Sequence, residues 1–507
     1  MWDSFLLGVE MAMRWDTMAM MGVGLMLGMF VGALPGFTTV MAMAILLPLS
    51  FFLEPLIGIP FLLGVYKGGI YGGSIPAILV SMPGTGASVA TTFDGPALTK
   101  KGKGRKALEM ALFSSAFGDL SSDIVTIMFI GPIALIALKV GPPELMAILF
   151  LALIVIAATS SGVFVKGLLM MVVGLFLGMV GQDPIGALSR FTFDIFQFRA
   201  GVPLLPMLIG VYALPEILIA IENRATGMIK QTINSREGGP LTFEEFRSCF
   251  RTICRSTMIG TVIGVVPGIG QVVAAFMGYA AAKNASKTPE KFGKGELEGI
   301  AAAEAANNAV NGPTMVPLLT LGIPGDNITV ILIGAFIAQG LRPGPQLMVE
   351  QGPLVFAILV AMVLANILFL IIGYFTIPLF AKVVTIRKSI LLPLTVVFAF
   401  AGSYVPRSDP FDLLVLVGFG AFGYLVKKLS FDVTPMVMAF ILGKELEYSF
   451  GQTMVLAQGN LAQYLFFERP ITAAIIIGTP FLTYMLWRRS SRLRNEVAAK
   501  LSDEIPS

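Results

Sequence analysis

GMFVGALPG at residues 28–36 and GTVIGVVPG at residues 260–268 spell one pattern twice: an apolar helix with glycines four apart that stops at Pro-Gly. A second pair follows. PAILVSMPG at 76–84 matches PLLTLGIPG at 317–325 in spacing, again with Pro-Gly at the end. Proline has no N–H to donate, so a helix buried in lipid must open at these points. Breaks at corresponding places in two halves of a membrane protein point to a binding site at the repeat interface. The pattern predicts an all-α integral membrane protein: a polytopic helical bundle of two homologous halves, carrying Pro-Gly-broken helices or re-entrant hairpins.

Composition agrees. Of 507 residues, 56% are hydrophobic and 13% charged, against about 25% charged in an average soluble chain. The 55 glycines and 28 methionines suit close helix approach and adaptable contacts in a bilayer. Histidine is absent, which removes the commonest transition-metal ligand and the commonest general base. No protein cofactor is expected. Cys249 and Cys254 alone make no zinc site and read as structural bystanders.

A bilayer core takes roughly 20 apolar residues per helix. By that ruler the chain divides into an interfacial segment at 1–16, a first membrane repeat at 17–221, a polar linker at 222–255, a second repeat with C-terminal helices at 256–487, and a tail at 488–507. About ten to fourteen crossings are expected, several of the apolar segments being short enough for half-helices. Trp2 and Trp15 suit the headgroup region, and the first spanning helix is expected to serve as an uncleaved insertion signal. Basic residues gather at 100–106, through the linker, and at Arg488, Arg489, Arg492 and Arg494. The positive-inside rule sets these on the cytoplasmic side. They do not read as a nucleic-acid patch, since no soluble domain would present one. The loop after Pro83-Gly84 carries five basic residues, whereas the one after Pro324-Gly325 has Arg342 alone. Repeats inserted with opposite orientation would give that asymmetry.

Polar residues inside such segments are costly unless they line water, a ligand or one another. Glu304, Asn307, Asn308 and Asn311 follow one another at helical spacing. Asparagine can hold a carboxylate or join a cation site, or it can simply bond a neighbouring helix. In SMPGTGAS (81–88), Thr85 and Ser88 with the backbone amides freed at Pro83-Gly84 can hold an anion. The equivalent GIPGDN (322–327) offers Asp326 and Asn327, with Thr329 beyond them. The Asp326 carboxylate suits either a coupling cation or a helix cap. Lys67 interrupts an apolar run, and Asp119 and Asp123 lie four apart on one helix face. These three fit a structural ion pair equally as well as a substrate counter-ion or a proton relay.

Longer stretches carry a resemblance. GGIYGGSIPAILVSMPGTGASVATTFDGPAL, SKTPEKFGKGELEGIAAAEAANNAVNG and LTLGIPGDN followed by GLRPGP closely resemble the large membrane subunit of the tripartite tricarboxylate transporters of bacteria. The likeness extends over nearly the whole chain. It implies an inner-membrane protein working with a small four-helix membrane subunit and a periplasmic solute-binding protein. It further implies import of an organic carboxylate, a di- or tricarboxylate or a related acid, on a Na⁺ or proton gradient. By similarity, Pro83-Gly84-Thr85 and Pro324-Gly325-Asp326 form the transport site, with Asn307 and Asn308 contributing. Three positions depart from the family's pattern. Pro96 stands in Asp94-Gly95-Pro96 where the family often has Tyr, Asp119 follows Gly118 where it often has glycine, and Lys67 has no counterpart.

Other classes fit less well. Asp119 and Asp326 each follow a glycine, yet neither lies in the Gly-x-Gly-Asp of an intramembrane protease, and no phosphate loop for a primary pump is present. A passive organic-anion channel would share the polar lining but ignore ion gradients. Substrate, coupling ion, and an elevator or a rocking motion all stay open.

Overall fold

Each Pro-Gly ends one helix and begins another. The computed structural model describes residues 2–159, 163–183, 186, 188–222, 239–383 and 388–485. Helix α1 (Trp2–Ala12) leads into α2 (Trp15–Gly32), which stops ahead of Pro35-Gly36. Helix α3 (Thr39–Ser50) restarts behind Thr38, whose hydroxyl accepts the Met41 N–H. Helix α4 (Pro55–Val80) ends at Ser81 in the left-handed conformation, followed by Pro83-Gly84 and a 3₁₀ helix (Ala87–Phe93). After α5 (Gly95–Lys100) come α6 (Gly104–Ala137), α7 (Pro142–Thr159), α8 (Phe164–Gly178), two short antiparallel strands (Gly181–Gln182 and Ser189–Arg190), α9 (Leu204–Tyr212) and α10 (Leu214–Glu222).

The second half repeats this order. Helix α11 (Phe243–Gly264) precedes Pro267-Gly268, and α12 (Gly270–Ala285) follows. The counterpart of α4 is split into α13 (Leu297–Asn308) and α14 (Met315–Leu321), because Gly312-Pro313 interrupts it. Helix α14 ends at left-handed Gly322, at the same remove from its Pro-Gly as Ser81. Glycine adopts that conformation freely; serine does so at a cost of about 1–2 kcal/mol. Then come α15 (Asn327–Ala338), α16 (Leu347–Glu350), α17 (Gly352–Val383), α18 (Lys388–Tyr404), α19 (Pro410–Lys428) and α20 (Thr434–Leu456). Helices α21 (Leu461–Glu468) and α22 (Pro470–Met485) meet at a 98° bend.

Glycine spacing decides which helices touch. Gly24, Gly28 and Gly32 of α2 face the Phe61, Val65 and Gly69 carbonyls of α4, while Gly64, Gly68 and Gly72 face those of Met21, Leu25 and Met29. No side chain fits between the two backbones. In the second half Gly260 and Gly264 of α11 lie against the Ala306 and Val310 carbonyls. Contacts between the halves are reciprocal: α6 lies on α11 and α13, α17 on α2 and α4, α3 on α15, and α12 on the 3₁₀ helix. A smaller apolar body, built from α7–α10 with α19 and α20, stands beside this broken-helix core.

Among the described residues six helices are long and apolar enough to cross a membrane, or seven if α21 and α22 are one span. That is fewer than the segment lengths suggest, because the breaks divide apolar stretches. At 1.5 Å per residue, the twelve-residue α3 and α15 reach only ~18 Å of a ~30 Å core. Large apolar side chains such as Met128, Phe129 and Ile136 of α6 stay exposed, as a lipid-facing surface requires. Helix α11 begins inside the stretch expected as linker, started by a Thr242–Glu245 capping box. Both cysteines therefore sit on a helix, and both are free. The basic stretches near 100–106 and 240–255 meet on one side, where Lys106 pairs with Glu245 at 2.6 Å. Residues 223–238 of the linker and the tail at 488–507 lie outside the described residues.

Candidate functional site

All four breaks open on one cavity of about 550 Å³ between the broken-helix core and the smaller body. Thr38, Thr39 and Val40 follow the first break, Thr85, Gly86 and Ala87 the second, Gly268 to Val273 the third, and Asp326, Asn327 and Ile328 the fourth. Thr159 of α7, Tyr212 and Glu216 of α9 and α10, Lys427 of α19 and Thr434 of α20 close the far side. Lys427 is the one basic residue among the described lining residues, and it is paired with Glu216.

Helix starts leave backbone N–H groups without partners inside the helix, and their aligned dipoles favour negative charge. These starts differ. Helix α15 is capped by Asp326, whose Oδ1 accepts the N–H of Ile328 at 3.0 Å and of Thr329 at 2.7 Å. Its own carboxylate therefore already answers that dipole. Helix α12 has no side-chain cap, and Gly270, Gln271 and Val272 of its first turn line the cavity. Helix α3 has only Thr38 as cap, and the buried Thr39 hydroxyl has no partner. Asn307 is 1% exposed and lines the same space, yet neither its amide nitrogen nor its oxygen finds a protein partner. Buried amides are rarely left so. The arrangement can take a small organic anion against two helix starts, with an amide beside it.

A polar chain leads away from the cavity. Asp326 Oδ2 accepts the Tyr66 hydroxyl at 2.7 Å, and Tyr66 accepts from Gln271 Nε2 at 2.8 Å. Gln271 Nε2 also reaches Asn311 Oδ1 at 3.3 Å, and Asn311 Nδ2 reaches Asp119 at 3.3 Å. Lys67 follows, 2.8 Å from Asp119 and 2.6 Å from Asp123. Asn366 of α17 completes the chain, donating to Asp123 at 2.7 Å.

The expected residues thus divide. Thr85, Asn307, Asp326 and Asn327 line the cavity. Ser88 stands behind Thr85 at 2.6 Å, and Thr329 serves the Asp326 cap. Pro83, Gly84, Pro324 and Gly325 make the breaks; Gly325 O accepts the Gly268 N–H at 2.9 Å, tying two breaks together. Lys67, Asp119, Asp123, Asn308 and Asn311 are buried off the cavity. Because α13 ends at Asn308, the polar face expected over 304–311 does not act as one: Asn308 donates to Ser115 and Asn311 turns to Asp119. Thr38, Thr39 and Gln271 also line the cavity, just past the first and third breaks, where Pro35-Gly36 and Pro267-Gly268 are the sequence signal for them. Tyr66 gave no signal beyond its place beside Lys67.

Comparison with known proteins finds one family and two relatives. The model of the tripartite tricarboxylate transporter TctA family matches residues 18–438. A protein of Agrobacterium vitis, described as an uncharacterized 52.8 kDa protein in the TAR-I ttuC' 3' region, is 36% identical over 473 residues, 93% of each chain. A second from that organism, described as an uncharacterized protein in the TAR-II ttuC' 3' region, is 37% identical over 210 residues, covering 41% of this chain and 86% of its own. No solved structure matches the chain.

Proposed function

The chain belongs to the tripartite tricarboxylate transporter TctA family, the premise from which we propose that it is the subunit that carries an organic carboxylate across the bacterial inner membrane. A periplasmic solute-binding protein delivers the anion, a small four-helix membrane subunit completes the complex, and a Na⁺ or proton gradient drives uptake. One observation carries this reading: the uncapped first turn of α12, the first turn of α3 and the unpartnered amide of Asn307 share a 550 Å³ cavity. A carboxylate there accepts backbone N–H groups on two sides and the Asn307 amide on a third. Helix-start contacts contribute about 0.3–2 kcal/mol each, more where water is excluded. Lys427, already paired with Glu216, leaves the anion to be held mainly by dipoles.

The cavity's place between two bodies supports alternating access, with the smaller body moving against the broken-helix core. Reciprocal contacts between α3 and α15 and between α12 and the 3₁₀ helix support two-fold related halves, and we take them as inverted. The basic stretches that meet at Lys106 and Glu245 then face the cytoplasm. A cation moving with the anion offsets its charge, and one charge falling through 100 mV supplies about 2.3 kcal/mol. Asp326 and Thr329 are engaged in the cap of α15, and Asp119 and Asp123 in the pair with Lys67, so such an ion is held by a different buried carboxylate near the site.

Uptake of a labelled carboxylate panel into proteoliposomes holding this chain and its small subunit tests the reading. Binding protein is added outside, under an inward Na⁺ gradient, a proton gradient or neither. Accumulation that needs both a gradient and the binding protein is expected. Flux that merely equilibrates, or ignores the binding protein, would instead identify a passive anion channel.

A further inference from the structure

Glu304 differs from every other buried carboxylate among the described residues. It is fully buried on α13, yet no cation lies within ion-pair distance and no backbone N–H donates to it. Glu109 has Arg105, Glu144 has Arg469, Asp412 has Arg407, and Asp119 and Asp123 have Lys67. Asp94 and Asp326 are held by backbone N–H groups. Glu304 instead has only hydroxyls: Thr91 of the 3₁₀ helix on Oε1 and Ser115 of α6 on Oε2 at 3.2 Å, with the Ser74 hydroxyl of α4 close by. An anion buried among neutral groups is unfavourable by several kcal/mol or more unless a positive charge joins it.

We propose that Glu304, Thr91, Ser115 and Ser74 form a Na⁺ site, and that this site couples the cation to the cavity; the coupling rests on the transport reading above. The Thr91 hydroxyl meets Oε1 and the Ser115 hydroxyl meets Oε2, so both carboxylate oxygens are flanked by neutral oxygens from separate elements, with Ser74 of α4 beside them. A proton needs a single acceptor, whereas a hard monovalent cation takes such a shell of oxygens. One carboxylate matches one positive charge, and no group of three acidic, histidine or cysteine side chains that would suit a divalent metal occurs among the described residues. The site also touches the cavity mechanically. Thr91 rides on the 3₁₀ helix whose first residue, Ala87, lines the cavity behind Thr85 and Gly86. Ser74 approaches Ser88 at 3.4 Å, and Ser88 bonds Thr85 at 2.6 Å. On α13 itself, Asn307 lies one turn beyond Glu304 and faces the cavity. A Na⁺ that draws Thr91 and Glu304 together fixes two cavity walls at once, so each ligand tightens the other.

The test is ²²Na⁺ binding to the purified full-length protein in detergent, with choline as the replacement ion and no substrate or partner present. Saturable Na⁺ binding is expected. Glu304→Gln should abolish it, and Thr91→Ala should weaken half-saturation by tenfold or more while the protein stays monodisperse. Thr91→Ala covers the case in which Glu304→Gln fails to fold. Absence of Na⁺-specific binding in the unaltered protein would overturn the proposal, as would full binding in Thr91→Ala or in a folded Glu304→Gln. Uptake driven by a proton gradient alone would likewise overturn it, with a proton in the place of Na⁺. Glu304-dependent Na⁺ binding in a protein that moves no carboxylate would uphold the site and reject only the transport reading.

Discussion

The Lys67 ammonium stands between two carboxylates, 2.8 Å from Asp119 Oδ1 and 2.6 Å from Asp123 Oδ2, with all three side chains buried. Lys67 comes from α4 and both aspartates from α6, while Asn366 of α17 donates to Asp123 at 2.7 Å. The cluster therefore joins both halves. A lysine inside an apolar run looks anomalous only until its two partners are placed, four apart on the next long helix.

Removing the ammonium should unsettle this region more than removing one carboxylate. Lys67→Met leaves two buried carboxylates uncompensated, and breaking such a pair costs about 3–5 kcal/mol. A clear fall in the melting temperature of the detergent-solubilised protein is expected. Adding Asp119→Asn to Lys67→Met should recover part of that loss, since it removes one of the orphaned charges. Equal melting temperatures for Lys67→Met and the unaltered protein would show that the cluster bears no stabilising charge balance.

The glycine ladder predicts a second, sharper intolerance. A Cβ on Gly28 would overlap the Val65 carbonyl oxygen and stand 2.9 Å from the Gly69 nitrogen, both fixed backbone of α4. Gly28→Val must push the helices apart and undo the contacts of Gly24 and Gly32 as well. Overpacking of about 1–3 kcal/mol is the least expected, read as loss of folded protein on size-exclusion chromatography. Gly418 meets nothing nearby, so Gly418→Val should leave the same profile unchanged.

Why the breaks could be read in advance and other parts could not follows from the range of the interactions. Pro35, Pro83, Pro267 and Pro324 act on their own helices, so their effect is local and visible in the chain. The glycine spacing of α2 and α11 is local too, and it selects partners without naming them. By contrast, Tyr66 matters through Asp326, 260 residues away, and nothing around Tyr66 announces that bond. Glu304 and Asn307 share a helix face by spacing, yet one turns to Thr91 and the other to the cavity. Which neutral groups surround a carboxylate is a property of packed elements, and sequence spacing on one helix cannot supply it.

Asp94 gives a prediction about how the halves are joined outside the cavity. Its Oδ1 accepts the N–H groups of Gly293, Gly295 and Glu296 at 2.8–2.9 Å, and its Oδ2 accepts the Tyr279 hydroxyl at 2.9 Å. One carboxylate of the first half thus folds a loop of the second. Asp94→Ala strips four donors of their acceptor, and a buried unsatisfied group costs about 1–3 kcal/mol. Lys287, Lys291 and Lys294 in and beside that loop are exposed. Trypsin should cut there at least tenfold faster in Asp94→Ala, about 1.4 kcal/mol in the opening equilibrium, and unchanged cleavage would refute the loop-holding role.

Asn307 offers the cleanest separation of stability from function. Both of its polar side-chain atoms are buried without a protein partner, so the folded protein gains nothing from them. Replacing an unsatisfied buried amide by an apolar group of similar size is close to neutral, or stabilising. Asn307→Leu should therefore melt at the same temperature as the unaltered protein, or higher. A hydrogen bond to a charged ligand is worth about 1.5–3 kcal/mol, which is tenfold or more in affinity. The half-saturation of carboxylate uptake should rise by at least that factor. A variant that melts lower and transports normally would mean that Asn307 serves the fold, and the anion would then have to be held by α3 and α12 alone.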